Sequence, residues 1–355
     1  MRKKTVAVLF GGVSSEHEIS KISASTIINN ISTDKYFVIP IYISKEGKWL
    51  LYDGCSDNMA NVQWEKQGTP AILSPDTTHH GLLRIVGGKA KNIPIDMVFP
   101  VLHGKFGEDG SVQGLCELAG IPYVGSGILS SSACMDKAFT KMVAKTVGVA
   151  QADYLVFTKT DVAENMSEIY KKVRYKIGYP CFIKPSNGGS SIGISKANNK
   201  SELETALIEA AKHDNKVLIE KAIVGRELEC AVLGNENPEA SGVGEIVPSH
   251  AFYDFDAKYN DSNSETIVIA DIPDEIKEEI RSSSLKIYKA LDCSGLARID
   301  FFYDTEKNRV VFNEVNTMPG FTAISMYSML WKATGISISE LVDKLIELGF
   351  QRFAL

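Results

Sequence analysis

A charged hairpin near the end of the chain constrains the fold more than any other feature of the sequence. Two runs of apolar, β-branched and aromatic residues flank a polar cluster, and this pattern predicts two strands joined by a turn centred near Lys307. Such a hairpin places Asp300 opposite Glu314. It also places Arg298 opposite Asn316. Because side chains alternate along a strand, these four polar side chains share one face. The strands are expected over Leu296–Tyr303 and Val310–Asn316.

The same hairpin predicts a cation site. Directly opposite residues have Cβ atoms within about 5 Å, and two carboxylates at that distance repel each other unless a cation lies between them. The oxygen set of Asp300, Glu314 and Asn316 suits Mg²⁺ shared with substrate phosphates, because Mg²⁺ takes few protein ligands and keeps open positions. By itself, the pattern is also compatible with an exposed hairpin that carries ordinary surface charges.

Composition and charge argue against several classes of protein. The chain has 355 residues, enough for two or three domains. Its net charge is −6 and it has no basic block, which argues against nucleic acid as a main partner. The apolar run Thr5–Phe10 is too short for a signal peptide or a membrane span, and no other segment approaches a span. The six cysteines are far apart, and most are predicted to be buried free thiols, which indicates a cytoplasmic protein.

The order of the predicted elements favours an α/β fold. The first third reads strand, loop, helix, strand, then strand, loop, helix, around a strand-bearing insertion at 45–95. This order predicts a small parallel sheet with binding loops at the carboxyl ends of its strands. Strands before the hairpin are expected over 5–10, 37–43, 97–102, 181–184, 217–221 and 226–233. Helices are expected over 20–30, 111–119, 135–147, 200–213, 273–291 and 337–348.

A glycine-rich loop, 184–193, follows one of these strands and suits phosphate. Glycines let backbone N–H groups approach a phosphate closely, and Ser190 and Ser191 add hydroxyl donors. The spacing matches neither the P-loop nor the dinucleotide-binding pattern, so those folds lose support. A flap over a nucleotide and a plain hairpin turn both remain open. Lys137 and Lys184 adjoin apolar elements, where a buried lysine normally requires an anion, so both are candidates to face one triphosphate.

Weaker candidates lie at strand ends. Glu220–Ile223 ends a strand and has backbone groups for an adenine edge, and Glu227 is placed to accept from ribose hydroxyls. Strand-end charges are nevertheless usually solvated. The loop Gly11–Glu18 leads into a helix. Either Ser14 or Ser15 simply caps that helix, or Glu16 receives a substrate ammonium group. The loop 103–110 carries three glycines and mixed charge, which favours a tight, specific shape.

Taken together, these segments resemble the D-alanine–D-alanine ligases of the ATP-grasp superfamily, in order and along nearly the whole chain. The segments that carry the resemblance are Gly11–Glu18, His103–Gly110, Met135–Lys137, Lys184–Ser191, Phe252–Tyr259, Arg298–Asp300 and Asn313–Thr322. The resemblance implies an α/β (α+β) ATP-grasp fold in which a Rossmann-like parallel-sheet domain precedes two domains that clamp ATP between antiparallel sheets. The implied domains are 1–125, 126–222 with the glycine and serine flap, and 223–355 with the metal site and a lid loop at 252–264.

The resemblance also implies a reaction and a set of roles. The carboxylate of a first D-alanine attacks the γ-phosphate of ATP to give an acyl phosphate, and the amine of a second D-alanine then attacks the acyl carbon. The implied catalytic residues are Glu16, Ser190, Tyr259, Arg298 and Gly320. ATP is implied to bind Lys137, Lys184, Ser191, Glu220, Lys221, Ile223, Glu227 and Lys258. His103, Ser325 and Met326 are implied to bind substrate, and Asp300, Glu314 and Asn316 are implied to hold two ions of Mg²⁺ or Mn²⁺.

Three other functions compete with this one. The same chemistry with D-serine or D-lactate as second substrate stays open, although Tyr259 argues against a hydroxy acid, for which phenylalanine is expected there. A catalytically silent ATP-binding module is disfavoured because Arg298 and both metal carboxylates are present. A nicotinamide-binding protein lacks its glycine pattern. The expected partners are therefore small-molecule substrates, without nucleic acid or membrane, and a homodimer is compatible with the resemblance.

Overall fold

The computed structural model describes residues 2–52, 54, 68–189, 192–247, 265–322 and 324–354. Within these residues the strands are β1 (Lys4–Gly11), β2 (Tyr36–Ile43), β3 (Trp49–Leu51), β4 (Thr69–Leu73), β5 (Gly81–Val86), β6 (Lys89–Pro94), β7 (Met97–Val101), β8 (Tyr154–Thr158), β9 (Cys181–Pro185), β10 (Ser195–Ala197), β11 (Lys216–Lys221), β12 (Arg226–Gly234), β13 (Glu239–Val247), β14 (Glu265–Ile267), β15 (Gly295–Asp304) and β16 (Arg309–Asn316). The helices are α1 (His17–Asn30), α2 (Ser111–Ala119), α3 (Ile128–Met135), α4 (Lys137–Thr146), α5 (Lys159–Glu164), α6 (Met166–Lys176), α7 (Lys200–His213), α8 (Asp274–Ala290), α9 (Met326–Ala333) and α10 (Ile338–Phe353).

The first sheet combines a parallel centre with an antiparallel extension. Its strand order is β6-β5-β4-β3-β2-β1-β7. Strand β1 runs parallel to both β2 and β7, as the order of elements predicted, and it is buried from Val6 to Gly11. The insertion between β2 and β7 supplies β3 to β6, which add on as antiparallel strands. The carboxyl ends of β1, β2 and β7 therefore meet at one edge, where the loops after β1 and β7 begin.

Two antiparallel sheets make up the rest of the molecule. One has the order β10-β9-β11-β8, and the other has the order β14-β13-β12-β15-β16. Helices α5, α6 and α7 cover the four-stranded sheet through a separate apolar core, and α8 packs on the five-stranded sheet. The α/β (α+β) class predicted from the sequence is confirmed, with one partly parallel sheet followed by two antiparallel sheets.

The predicted hairpin is present as β15 and β16, with Asp300 opposite Glu314 and Arg298 opposite Asn316. A regular hairpin does not produce these pairs, because next to the turn Asp304 lies opposite Arg309. The register shifts by a bulge just beyond Asp300, and this shift brings Glu314 opposite Asp300. The predicted pairing is therefore correct near the site but depends on an irregularity that the sequence pattern did not indicate.

Two predicted helix bounds were wrong for identifiable reasons. The helix expected over 135–147 is α4, which begins at Lys137 because Asp136 caps it by accepting from the N–H groups of Ala138 and Phe139. Met135 instead ends α3, a helix that was not expected. The last helix continues past its expected end at Leu348. Gly349 lies inside α10. A Cβ at this position would come 2.9 Å from the carbonyl oxygen of Tyr123, so a larger residue would not fit here. This glycine permits close packing and does not end the helix.

Other expectations concern burial. Among the described residues the cysteines are buried free thiols, as predicted; Cys55 lies outside them.

Strand β8 and the two helices that follow it were not predicted, nor were β13 and α9. No helix in the described ranges is long and apolar enough to cross a membrane.

Candidate active site

A large cavity opens between the two antiparallel sheets. It measures about 480 Å³, within the range of about 300–1,000 Å³ that is typical of ligand pockets. Lys184 and Glu220 line it from the four-stranded sheet, and Glu227 and Asp300 line it from the five-stranded sheet. The strand-end segment 221–225 forms part of its wall. Residues expected to bind a nucleotide therefore face one common space.

A smaller cavity of about 80 Å³ adjoins it. Its wall contains Glu16 and His103 from the first sheet's loops, Lys137 from α4, and Gly320 from the loop after β16. Arg298 and Glu314 line both cavities, so the hairpin separates a nucleotide-sized space from a space for small molecules. This junction is where a group transferred from one cavity can meet a substrate in the other.

Arg298 and Asp300 form the centre of the junction. The guanidinium of Arg298 donates to both carboxylate oxygens of Asp300, from Nε and from Nη2, at 2.7 Å each. Burial disfavours the charged guanidinium, but Asp300 and Glu229 outweigh burial, so the pKa of Arg298 lies well above its ordinary value. Arg298 is thus a fixed positive charge at the wall of both cavities.

The oxygen donors predicted to hold a metal come together beside this pair. Asn316 donates from Nδ2 to Asp300 at 2.9 Å, and Glu314 lies opposite Asp300 and pairs with Lys137 at 3.2 Å. Two carboxylates and an amide form the hard oxygen set that Mg²⁺ prefers, so the residues present fit such an ion. Over the described part of the chain there is no cluster of three His, Cys, Asp or Glu side chains that suits a metal. The fit therefore rests on the set that includes Asn316.

Glu220 lies between two lysines at the far end of the large cavity. Lys184 donates to its Oε2 at 2.8 Å, and Lys141 pairs with its Oε1. Burial alone would raise the pKa of Glu220, yet the two lysines outweigh it and the pKa is lowered. Lys141 is a buried residue of α4, and burial lowers its pKa. The carboxylate of Glu220 therefore faces these lysines, and Lys184 also approaches Asn313 Oδ1 at 3.4 Å.

The loops after β1 and β7 converge on Glu16, which is buried. Cβ atoms placed on Gly104 and Gly189 would lie 3.0 and 3.3 Å from Glu16 Oε2, so glycine permits the close approach of both loops. Glu16 thus stands between the first sheet and the glycine-rich loop 184–193 that follows β9.

His103 and Glu108 fasten the loop after β7 to Met318. The carbonyl oxygen of Met318 lies 2.8 Å from His103 Nδ1, and the N–H of Met318 donates to Glu108 Oε1 at 2.8 Å. His103 Nε2 also lies 3.2 Å from Ser23 Oγ. Burial and the nearby charge of Glu16 raise the pKa of Glu108 to about 8. Both polar groups of the Met318 backbone are therefore held by one loop of the first sheet.

Gly320, Ser325 and Met326 follow Met318 along the chain. Gly320 lines the small cavity, and a Cβ there would lie 3.0 Å from Ser325 Oγ. Ser325 is the N-cap of α9, and its N–H donates to the carbonyl of Thr322 at 3.1 Å. Met326 begins α9 and is buried.

Four predicted site residues lie outside the described residues: Ser190, Ser191, Lys258 and Tyr259. The predicted lid loop, 252–264, lies outside them as well.

Sequence reasoning missed three residues of this site, which are Lys141, Glu108 and Glu229. Lys141 stands one turn after Lys137 on the buried face of α4, and this spacing of four residues was available in the sequence. Glu229 shares a strand face with Glu227, two residues earlier, which was a signal of the same kind. Glu108 lies in the glycine-rich loop 103–110, but its partner Met318 is too distant in sequence for a local pattern to indicate the contact.

The fold and the site define an ATP-grasp ligase, and comparison with known proteins gives the family. The model of the D-ala D-ala ligase N-terminus matches residues 5–126, and the model of the D-ala D-ala ligase C-terminus matches residues 143–347. The chain belongs to the D-alanine–D-alanine ligase family.

Relatives that match over nearly their whole length are named D-alanine–D-alanine ligases. The D-alanine–D-alanine ligase of Acetivibrio thermocellus is 51% identical, over 99% of this chain and 97% of that protein. The enzyme of Thermoanaerobacter pseudethanolicus is also 51% identical, over 99% of this chain and 98% of that protein. Among solved structures, the VanG D-Ala:D-Ser ligase of Enterococcus faecalis has a TM-score of 0.89 at 40% identity, covering 98% of this chain and all (100%) of that one. The D-alanine-D-alanine ligase of Coxiella burnetii has a TM-score of 0.85 at 33% identity, covering 100% and 96%.

Proposed function

We propose that this protein joins two D-alanines into D-alanyl-D-alanine through an acyl phosphate, with ATP converted to ADP and phosphate, for peptidoglycan precursor synthesis. The observation that carries the proposal is the hairpin junction, where Arg298 and Glu314 line a nucleotide-sized cavity and a small cavity at once. A phosphoryl group bound in the first cavity can reach a carboxylate bound in the second. The 51% identity with D-alanine–D-alanine ligases supports the same reaction.

ATP occupies the large cavity in this proposal. Lys184 faces its phosphates from the wall of the large cavity. Lys137 lines the small cavity and reaches the phosphates at the junction, where it pairs with Glu314 at 3.2 Å. The segment Glu220–Ile223 meets adenine through its backbone and Lys221, and Glu227 accepts from ribose hydroxyls. Because the Glu220 carboxylate already binds two lysines, its contribution is to fix Lys184.

Asp300, Glu314 and Asn316 hold Mg²⁺ or Mn²⁺, and two ions fit the resemblance. When bound, the metal offsets the negative charge of the phosphates. Lys137 stands at 3.2 Å from Glu314, and Arg298 binds Asp300, so these two cations neutralise the acidic groups from the protein side. The hairpin thereby presents oxygen ligands without leaving two bare carboxylates opposite each other.

The first D-alanine lies in the small cavity with its ammonium group near Glu16. Its carboxylate attacks the γ-phosphate, and the acyl phosphate is then attacked by the amine of the second D-alanine. Arg298 and the N–H of Gly320 stabilise the oxyanion that forms, because fixed donors in a water-poor site stabilise charge that appears in the transition state. His103 positions substrate from the opposite wall.

Further roles follow from the resemblance. Ser325 and Met326 receive the carboxylate of the second substrate at the start of α9, for which the Ser325 N–H must exchange its bond to Thr322. Ser190 and Tyr259 complete the catalytic set with Glu16, while Ser191 and Lys258 bind phosphate. The loop 252–264 closes over the site and keeps water from the acyl phosphate.

The domains, location and assembly are part of the same proposal. The division into 1–125, 126–222 and 223–355 follows the three sheets in chain order. A cytoplasmic location fits the buried free thiols. A homodimer is the assembly we propose from the resemblance.

A D-alanine–D-serine ligase is the second candidate function. The observation in its favour is the TM-score of 0.89 with the VanG D-Ala:D-Ser ligase. Sequence identity favours D-alanine, with 51% against 40%. Both candidates share every step except the identity of the attacking amine.

One experiment separates these functions. Phosphate release from ATP is measured with D-alanine alone and then with D-serine or D-lactate added, and each product is identified by mass. We expect release with D-alanine alone and D-alanyl-D-alanine as the main product. A mixed dipeptide or depsipeptide as the main product would move the protein to another specificity, and the absence of release under all three conditions would refute the ligase function.

A further inference from the structure

Glu229 lines the large cavity of the site. It lies on β12 directly opposite Asp300, which in turn lies opposite Glu314. Three carboxylates therefore occupy adjacent positions across three neighbouring strands. Glu229 is buried, with 8% of its surface exposed, so its charge needs a protein partner.

Arg298 is one such partner. Glu229 Oε2 lies 3.1 Å from Arg298 Nε, the same nitrogen that donates to Asp300 Oδ1 at 2.7 Å. Nε gives its hydrogen bond to Asp300 and also forms an ion pair with Glu229, whose Oε2 makes no hydrogen bond in the described part of the chain. Nη2 binds Asp300. Nη1 makes no hydrogen bond to any residue within the described ranges. The two carboxylates thus hold one edge of the guanidinium and leave Nη1 to act on a substrate.

Asp300 has two competing tasks under the proposed function. It binds Arg298 through both oxygens, and it offers the same oxygens to a metal ion. A carboxylate oxygen that coordinates a cation becomes a weaker acceptor, so Arg298 loses part of its anchor when the metal binds. Glu229 binds the same guanidinium from the neighbouring strand and is not one of the proposed metal ligands.

We propose that Glu229 is a positioning residue that holds Arg298 in place through Nε while Asp300 binds the metal ion. This inference rests on the proposed function, because it assigns Asp300 to a metal and Arg298 to the oxyanion. Without Glu229, Arg298 depends on Asp300 alone and competes with the metal for it. Loss of Glu229 should therefore weaken metal-dependent nucleotide binding and also displace Arg298 during turnover.

The chain offers a matched control in Glu245. Glu245 is also buried, on β13 of the same sheet. Its Oε1 accepts a hydrogen bond from Arg226 Nε at 2.6 Å. Both residues are thus buried glutamates paired with an arginine in one sheet, but Glu245 does not line either cavity of the site. A general loss of sheet stability should affect Glu229→Gln and Glu245→Gln alike.

The first measurement requires no ligase activity. ADP affinity is titrated calorimetrically at increasing Mg²⁺ for the wild-type protein, Glu229→Gln and Glu245→Gln, with urea unfolding as a check of the fold. We expect Glu229→Gln to raise the Mg²⁺ concentration needed for half of the affinity gain by about 10-fold or more, the range found for partners of metal ligands. ADP affinity without Mg²⁺ should stay within about 2-fold of wild type. An unchanged Mg²⁺ midpoint, or an equal shift in Glu245→Gln, would overturn the proposal.

The second measurement asks whether Glu229 acts through Arg298. The Mg²⁺ titration is repeated in Arg298→Ala, with and without Glu229→Gln, as a double-mutant cycle. We expect Glu229→Gln to have no further effect in this background. If it shifts the Mg²⁺ midpoint equally in both backgrounds, Glu229 acts by its own charge, and the positioning role is wrong. Because both measurements follow ADP binding, they stand even if the dipeptide product assay fails, which would refute only the ligase function.

Discussion

At the scale of single residues, Asp300 is the group on which most of the site depends. It accepts two hydrogen bonds from Arg298 and one from Asn316, and it faces Glu314 across the hairpin. Each of these partners carries charge or hydrogen-bonding capacity that a change at Asp300 would leave unbalanced in a buried place. The function of the site is therefore expected to be more sensitive to charge than to shape.

Asp300→Asn and Glu314→Gln should each reduce turnover by at least about 100-fold while the protein stays folded, because outer partners of metal ligands alone account for about 10- to 100-fold. Each substitution removes one negative charge from the proposed metal set but keeps its size. Phosphate release is measured as Mg²⁺ is raised, with the unfolding midpoint as control. Wild-type release by either variant at limiting Mg²⁺ would contradict the metal assignment.

Arg298→Ala should lower kcat by roughly 100- to 1,000-fold, the effect of losing one oxyanion donor, and change the KM for ATP far less. The reason is that the charge on the oxyanion develops only in the transition state. Steady-state kinetics with ATP and D-alanine varied in turn separates the two constants. An effect confined to the KM for ATP would show that Arg298 serves nucleotide binding instead.

At the scale of elements, the start of α4 decides where two lysines lie. Asp136 accepts from the N–H groups of Ala138 and Phe139 and from Ser186 Oγ at 2.6 Å. These bonds fix the first turn of α4 against the strand end of β9. Because Lys137 and Lys141 are one turn apart on the buried face of α4, the position of this cap sets both ammonium groups.

Asp136→Ala should destabilise the protein by about 1–2 kcal/mol, the usual effect of losing an N-cap, and should also raise the KM for ATP. The control is Asn199→Ala, which removes the cap of α7, where Asn199 accepts from the N–H of Glu202 at 3.0 Å. That helix packs on the four-stranded sheet through the apolar core it shares with α5 and α6. Comparable loss of stability with an unchanged KM is expected in the control. If both variants change the KM equally, the effect of Asp136 is general.

At the scale of the whole molecule, one contact region joins the first sheet to the hairpin at the other end of the chain. His103 and Glu108 bind both backbone groups of Met318, and Ser23 accepts from the N–H of Phe321 at 3.1 Å. These bonds place the loop that carries Gly320 beside Glu16. The small cavity therefore exists only when the first sheet and the five-stranded sheet are docked together.

The pH dependence of stability should report this contact through Glu108. Its pKa is raised to about 8 in the folded protein from 4.5, so the folded state keeps a proton that the unfolded state loses. Stability from this group is present at low pH and falls as pH rises from about 4.5 to about 8, by on the order of 5 kcal/mol. Urea unfolding between pH 5 and about 9 should show a steeper decline in the wild-type protein than in Glu108→Gln. Equal slopes for the two proteins would contradict the raised pKa.

The sequence alone determined several secondary-structure elements, their pairing and the family. The helix 200–213 has the predicted bounds, and the hairpin strands, the parallel first strands and the family were all accessible from local patterns. Such patterns succeed because turn residues, the spacing of apolar residues and strand alternation act over a few neighbours. Local patterns also brought Arg298, Asp300 and Glu314 together, since one hairpin carries all three.

Tertiary structure alone decided the partners of the buried charges. Glu108 meets Met318, Lys141 meets Glu220, and Glu229 meets Arg298, each across a long stretch of chain. The bulge that sets the pairing of Asp300 with Glu314 was equally invisible in the pattern of residues. The physical reason is that a charge can be buried only beside a compensating group, and the packing of distant elements determines which group that is.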